Sequence, residues 1–207
     1  MNDFEEPTQG TTSLAGVWAT EFSLQEVGKF LNPSNLTIQG KEAVQSFDEA
    51  TMLPALDCIP SPAPYSMLYP ELKKVEINAN EIIMLSEGEG TKRIVHLKAA
   101  EFGNEETSLL GNSVGRWEDD TLVITSTGFS PHRSGNAPIG LPSSSEKRVI
   151  EWLRLADDGK SIEYRFELSD PIFISGSISG KAKWIFRPAA EFQPAACSTE
   201  NARKFLR

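Results

Sequence analysis

The sequence predicts an all-β protein in which one antiparallel β-barrel occupies residues 1–207. Apolar and polar residues alternate with a period of two in many short stretches, the pattern of strands that bury one face. The 15 glycines and 13 prolines are scattered between these stretches, as turns between short strands require. About eight to ten strands with short links are typical of a barrel or a sandwich, and we predict the barrel.

Residues 111–129 form the clearest predicted hairpin, around which the rest of the chain is organised. Ser113, Gly115 and Trp117 alternate with the residues between them, and the alternation resumes after an acidic turn at residues 118–121. Asp favours such turns because it tolerates left-handed backbone and bonds its own main chain. We predict that Trp117 is largely buried in the core.

The same alternation predicts the other strands. The first strand opens at Leu14, and the later ones cover residues 72–78, 81–87, 91–98, 147–155, 161–168 and 180–187. After the first strand, residues 41–52 carry apolar residues at helical spacing and predict a short amphipathic helix. The end of the chain predicts a second short helix, capped near Ser198 or Thr199.

Three segments are predicted to lack regular structure. Residues 1–13 are polar and acidic and predict a flexible N-terminal tail. Residues 53–70 contain five prolines, which cannot donate to a sheet, and predict an extended strap on the surface. Residues 130–145 are rich in Gly, Pro and Ser and form the longest predicted loop, the kind of segment where binding residues collect.

Composition and missing motifs exclude several classes of function. The net charge of −9, without a cluster of Lys and Arg, opposes nucleic-acid binding. No apolar run is long enough for a transmembrane helix, so we expect no membrane insertion. The chain has no Gly-rich phosphate loop and no cysteine cluster. We therefore expect neither a cofactor nor a metal.

The two cysteines, Cys58 and Cys197, leave the cellular compartment open. They could form one long-range disulfide in an oxidising compartment, but spacing does not show whether they lie close enough, and free thiols are favoured. The first residues lack the basic start and apolar stretch of a secretory signal. A cytoplasmic protein is predicted from the chain as given, or a periplasmic one if a leader has been removed.

Motifs along about three quarters of the chain resemble a large bacterial family known by the pattern G-H-S-x-G-R-W-E-G-D-T-L-V-V. The corresponding stretch here is GNSVGRWEDDTLVI, within residues 111–129. The other matching residues are Cys58-Ile59-Pro60, Pro64, Met67, Pro70, Glu87, Arg93-Ile94, Leu141-Pro142, Glu151, Cys197 and Glu200-Asn201. Where histidines are expected from the family, this chain has Asn112, Ser143 and Arg148, so the resemblance implies no histidine site.

That family resembles lipocalin-like barrels in its strand pattern. The first strand adds a second likeness, because Gly16-Val17-Trp18 resembles the lipocalin entry motif, in which the tryptophan closes one end of the barrel. The resemblance implies a lipocalin-like fold with a short helix after the first strand and another at the C-terminus. It implies no particular activity.

Four residues are the candidates for chemistry. His132 lies in the predicted loop beside Arg133, where a histidine can move a proton near neutral pH while the guanidinium steadies an anion. Arg116 and Tyr164 are further candidates for stabilising charge. The alternative for His132 is a solvent-exposed loop residue.

Aromatic residues at alternate strand positions could line a ligand cavity, because a barrel of eight or more strands can hold one small molecule. The candidates are Trp18, Trp117, Trp152, Phe166 and Trp184. The alternative is ordinary core packing. Charged residues within the strands could pair across neighbouring strands. They are Glu87, Arg93, Arg116, Glu118, Glu151 and Arg165.

Two functions of different class fit these residues. The first is a cofactor-independent lyase or isomerase that holds a hydrophobic molecule, aromatic or terpenoid-like, in the barrel and uses His132 as acid or base. The second is a lipocalin-like binding or carrier protein, which needs the same cavity but no convergent ionisable groups. Both take a hydrophobic small molecule as partner, and a homodimer is compatible with the sequence.

Overall fold

The computed structural model describes residues 10–88, 90–97 and 107–204, and within them it contains eleven β-strands. The strands are β1 Gly16–Thr20, β2 Leu72–Ile77, β3 Glu81–Ser86, β4 Lys92–His96, β5 Asn112–Glu118, β6 Thr121–Thr127, β7 His132–Ala137, β8 Leu141–Ser143, β9 Arg148–Leu155, β10 Ser161–Ser169 and β11 Ile178–Phe186. All but β7 and β8 form a closed barrel in the order β1-β11-β10-β9-β6-β5-β4-β3-β2. The predicted all-β barrel is therefore confirmed.

Neighbouring barrel strands are antiparallel except β4 and β5, which run parallel. The ladder between these two strands covers Val95 opposite Ser113 and His96 opposite Val114. The residues of β4 before Val95 therefore have no ladder partner on β5.

The predicted hairpin is confirmed as β5 and β6, which pair from Asn112 opposite Thr127 down to Glu118 opposite Thr121. Asp119 in the turn has a φ of 54°, the left-handed conformation that Asp tolerates better than most residues. We call the end of the barrel at this turn the lower end. The upper end is where β6 finishes at Thr127 and β9 begins at Arg148.

The proline-rich segment at residues 53–70 is not an extended surface strap, so that prediction was wrong. It contains two 3₁₀ turns, Pro54–Asp57 and Tyr65–Leu68, and residues 61–68 are buried. The carbonyl oxygen of Met67 accepts hydrogen bonds from Trp184 Nε1 at 3.2 Å and from Thr20 Oγ1 at 3.3 Å. The apolar side chains of this segment thus supply part of the core that the barrel strands share.

Residues 130–145 are not an irregular loop, which corrects a second prediction. They contain β7 and β8, which pair from His132 opposite Ser143 to Ala137 opposite Leu141 and form a two-stranded ribbon. Gly140 makes the reversal possible with a φ of 93°. Most residues of the ribbon are buried, so it lies against the protein instead of extending into solvent.

Short α-helices lie in the segments between the strands and after the last strand. They are α1 Leu24–Gly28, α2 Ile38–Gln45, α3 Glu49–Met52 and α4 Thr199–Ala202. The predicted helix at residues 41–52 is divided in two, because Asp48 starts a new helix by accepting a hydrogen bond from the N–H of Ala50. The predicted C-terminal helix is present as α4. Within the described residues, no helix is both long and apolar enough to cross a membrane.

A disulfide joins Cys58 to Cys197, with Cα atoms 5.7 Å apart. The preference for free thiols was therefore wrong. Spacing along the chain could not show this, because the contact depends on how residues 53–70 fold back beside the C-terminal segment. Of the predicted N-terminal tail, residues 1–9 lie outside the described ranges, and Thr11 donates its backbone N–H to Gly159 O at 2.8 Å.

Trp117 is 45% exposed, so the prediction that it is largely buried was wrong. It lies on the same face of β5 as the buried Ser113 and Gly115, but the ladder with β4 ends at Val114. Among the described residues, none of β4 pairs with β5 beyond Val114, and residues 116–120 are all exposed. The alternation identified the face of the strand correctly but not the exposure of its last residues.

Trp117→Ala is accordingly expected to lower the free energy of unfolding by about 1 kcal/mol or less, instead of the several kcal/mol of a fully buried aromatic residue. About half of the indole already contacts water, so its removal opens no closed cavity. Urea denaturation followed by circular dichroism measures the change. A loss above about 3 kcal/mol would contradict the exposed position.

Candidate functional site

A cluster of polar side chains is buried inside the barrel. Its members, here called the polar core cluster, are Arg93, Ser113, Ser126, Glu151 and Tyr164, each at most 6% exposed. The Arg93 side chain extends from β4 beneath β5 and β6, donating to Ser113 Oγ at 2.9 Å and Ser126 Oγ at 2.7 Å. It then forms a bidentate ion pair with Glu151 on β9, and the Nη1 to Oε1 distance is 3.0 Å.

Tyr164 completes this cluster by donating its hydroxyl to Glu151 Oε1 at 3.0 Å. Burial raises the pKa of Tyr164 well above its ordinary value, and the nearby negative charge of Glu151 raises it further. Burial alone would lower the pKa of Arg93, but the Glu151 carboxylate outweighs that effect and raises it. At neutral pH Tyr164 is thus a protonated hydrogen-bond donor beside a charged, mutually neutralising pair.

A pocket of about 210 Å³ opens beside this cluster where the pairing of β4 and β5 has not yet begun. We call it the seam pocket. Its lining residues are Lys92, Arg93, Ile94, His96, Ser108, Leu110, Gly111, Asn112 and Ser113. Two of these, Arg93 and Ser113, also belong to the polar core cluster.

A second buried group lies under the ribbon of β7 and β8. Its members, here called the ribbon cluster, are Ser134, Asn136, Lys147 and Asp170, none more than 2% exposed. Asp170 accepts hydrogen bonds from Asn136 Nδ2 at 2.9 Å, from the Ser144 N–H at 2.8 Å and from Ser144 Oγ at 2.7 Å. Its carboxylate is therefore well solvated by the protein.

Lys147 is the buried cation of the ribbon cluster. Its Nζ donates to Gly135 O at 2.6 Å and lies 4.4 Å from the centre of the Phe129 ring. Burial lowers the pKa of Lys147 to about 7, although the carboxylates of Asp170 and Glu151 act in the opposite direction. At neutral pH a large fraction of this amine is uncharged.

The structure does not bring the four predicted catalytic residues together. His132 is partly buried at the start of β7, where Nδ1 accepts the N–H of Ser134 at 3.2 Å. Burial and the adjacent Arg133 both lower the pKa of His132, so the imidazole is neutral at physiological pH. Arg133 instead pairs with Asp57 at 3.2 Å. Arg116 forms an exposed ion pair with Glu118 at 2.6 Å. Tyr164, in contrast, is buried and bonds Glu151.

The five predicted ligand-binding aromatics occupy three environments. Trp18, Phe166 and Trp184 are buried in the barrel, and Trp184 stacks on Tyr164 with ring centres 5.4 Å apart. Trp152 lies on the outer face, where the Arg165 guanidinium covers its ring at 5.5 Å. Trp117 is half exposed near the hairpin turn. Whether any of them contacts a ligand stays a prediction.

Arg93 and Glu151 were among the charged residues predicted to form ion pairs, but only between neighbouring strands. In the barrel they lie on β4 and β9, with β5 and β6 between them, so the pair could be found only once the strand order was known. Ser113, Ser126, Lys147 and Asp170 were missed. The signal for the two serines was their inward phase on β5 and β6. Lys147 opens the predicted strand 147–155 with the same phase as the buried Val149 and Glu151, which was its signal, whereas Asp170 follows the end of β10.

A larger groove of about 600 Å³ lies on the opposite, outer side of the wall, against α1, β10 and β11. Half of its lining residues are charged, namely Glu21, Glu26, Glu163, Arg165, Lys181 and Lys183. Acidic and basic groups alternate there, as on an ordinary solvated sheet face. No group of three or more metal-ligating side chains is found among the described residues.

The chain matches no protein-family model, and no curated protein matches it significantly. The family resemblance described from the sequence therefore stays a prediction. The function has to be argued from the barrel, the seam pocket and the two buried clusters.

Proposed function

We propose that the protein is a lipocalin-like binding protein for a small molecule, which enters the seam pocket between β4 and β5. One observation carries the proposal. The pocket lies at a gap in strand pairing, and two of its lining residues, Arg93 and Ser113, belong to the polar core cluster, which favours a polar ligand atom at this place. Concave sites of this kind, with a few convergent polar groups, are typical of ligand binding.

The chemistry of the pocket favours a neutral polar group on the ligand. Four of the five N–H groups of Arg93 already donate, two to serine hydroxyls and two to Glu151, which also neutralises the charge. Asn112 and Ser108 offer further polar atoms, while Ile94 and Leu110 are apolar. A small, mainly apolar molecule with a hydroxyl or carbonyl oxygen, such as an aromatic phenol or ketone, fits this lining.

Leu110→Trp is expected to lower the affinity for such a molecule at least about tenfold, because the indole fills the seam pocket. The probe is chosen by saturation-transfer NMR from mixtures of small phenols, ketones and aromatic carboxylates. Its dissociation constant is then measured for the wild-type protein and the variant.

The matched control is Ile77→Trp, which adds the same side chain at an exposed position at the lower end of β2. This variant should bind the probe like the wild-type protein. Unchanged affinity in Leu110→Trp, with both variants folded, would contradict binding in the seam pocket.

The second candidate function is a cofactor-independent lyase or isomerase acting on the same kind of molecule. It is supported by the Tyr164 hydroxyl, a buried proton donor that is bonded to a carboxylate in the barrel, and by the neutral imidazole of His132. In this account the raised pKa makes Tyr164 a donor to a developing oxyanion and not a base.

Turnover distinguishes the two functions. If the protein is an enzyme, Tyr164→Phe or His132→Ala should lower the rate of conversion of the bound probe by about 10² to 10⁴. If it is a carrier, NMR should show the probe unchanged after prolonged incubation. Tyr164→Phe should then have only a structural cost, about 1 kcal/mol for one buried hydrogen bond.

The Cys58–Cys197 disulfide supports a location in an oxidising compartment, and we propose the periplasm of a bacterial cell. Alkylation of thiols in intact cells that produce the protein tests this. An unmodified disulfide in the native compartment is expected, whereas two alkylated cysteines would contradict the proposal.

A further inference from the structure

Lys147 is a buried amine without a counter-ion at contact distance. It is 1% exposed, its hydrogen bond goes to the backbone carbonyl of Gly135, and it forms no ion pair with a carboxylate of the described residues. A charged ammonium in such a place is costly, which favours the neutral amine. The neutral amine keeps its lone pair and is the nucleophilic form of lysine.

Two unsatisfied oxygens belong to the residues on either side of the carbonyl that this amine bonds. Lys147 donates to the backbone carbonyl of Gly135, and Ser134 and Asn136 are its neighbours on β7. Ser134 Oγ and Asn136 Oδ1 are buried and have no hydrogen-bond partner in the structure. Buried polar atoms without partners are uncommon and costly, so this space has hydrogen-bonding capacity that a ligand could use.

We propose that Lys147 is a covalent attachment site for a small aldehyde or ketone. The Lys147 nitrogen adds to the carbonyl carbon and forms a carbinolamine, whose hydroxyl donates to Asn136 Oδ1 or Ser134 Oγ. The carbonyl oxygen then leaves as water with the two amine hydrogens, and a C=N bond remains. The Phe129 ring, 4.4 Å from Nζ, favours an aromatic carbonyl compound.

This site is separate from the seam pocket and does not depend on the proposed function. Reductive trapping tests it in the intact protein. Benzaldehyde and sodium cyanoborohydride are added at a pH of about 7.5, where exposed lysines are almost fully protonated. Peptide mapping by mass spectrometry then locates the benzyl groups and separates lysines from the N-terminal amine.

Lys147 is expected to be labelled at least about tenfold more than Lys73, a second buried lysine that is 2% exposed and donates to Tyr69 O at 2.8 Å. Labelling of Lys147 should fall at a pH of about 6, because protonation removes the lone pair. Lys147→Met should abolish this adduct and Lys73→Met should keep it. Ser134→Ala should slow its formation.

Equal labelling of Lys147 and Lys73 would overturn the proposal. So would labelling of Lys147 only after unfolding in urea, because the reactivity would then belong to the unfolded chain. Circular dichroism of each variant verifies that it is folded before the labelling is compared.

Discussion

Glu151→Ala is expected to lower the free energy of unfolding by about 3 to 5 kcal/mol, because it leaves the Arg93 guanidinium buried without its counter-charge. The substitution also removes the acceptor of the Tyr164 hydroxyl. Reversible denaturation in urea measures this loss in the free energy of unfolding. A protein of this size with ordinary stability would lose a large fraction of its free energy of unfolding.

The double substitution Arg93→Met with Glu151→Leu is the informative control. It removes both charges together and should recover most of the loss, since apolar replacements of a buried ion pair are often neutral or stabilising. Arg116→Ala, which breaks the exposed pair with Glu118, should leave the stability nearly unchanged. A Glu151→Ala variant as stable as the wild-type protein would show that Arg93 is not buried as described.

Replacing both Cys58 and Cys197 by serine is expected to lower the free energy of unfolding by up to about 5 kcal/mol. The bridge closes a loop between residues that are 139 positions apart, and a cross-link of that span removes much of the conformational entropy of the unfolded chain. The C-terminal segment also becomes freer to separate from residues 53–70. Chemical denaturation of the oxidised protein and of the double variant measures the difference.

Arg203→Ala provides the matched control for this bridge. Arg203 pairs with Asp57, the neighbour of Cys58, so it contacts the same place without a covalent link. This variant should keep nearly all of the stability if the covalent closure is responsible. A double cysteine variant that loses less than about 1 kcal/mol would contradict the expectation.

Strand alternation predicted most of the barrel because each strand has one face in the core. β2, β3, β9 and β10 lie within a residue or two of the predicted bounds. Strand alternation did not predict the structure of segments that bury residues without forming a strand. The proline-rich segment at residues 53–70 was predicted as a surface strap because prolines cannot join a ladder, yet its 3₁₀ turns need few ladder donors and bury Tyr65 and Met67.

The candidate site was harder to predict for a different physical reason. Arg93 and Glu151 are 58 positions apart and meet only because β5 and β6 lie between their strands, which no local pattern encodes. His132 and Arg133 were predicted to be catalytic because they are neighbours in a segment that was predicted to be a loop. Pairing within the ribbon instead directs Arg133 to Asp57 and away from the barrel interior.

Chemical-shift mapping tests whether a ligand binds in the seam pocket. Two-dimensional ¹H–¹⁵N NMR spectra are recorded while the probe selected by saturation transfer is added to the protein. The largest shifts are expected on the described residues of the pocket, from Lys92 to His96 and from Ser108 to Ser113. Largest shifts around Lys181 and Lys183 in the outer groove would contradict it.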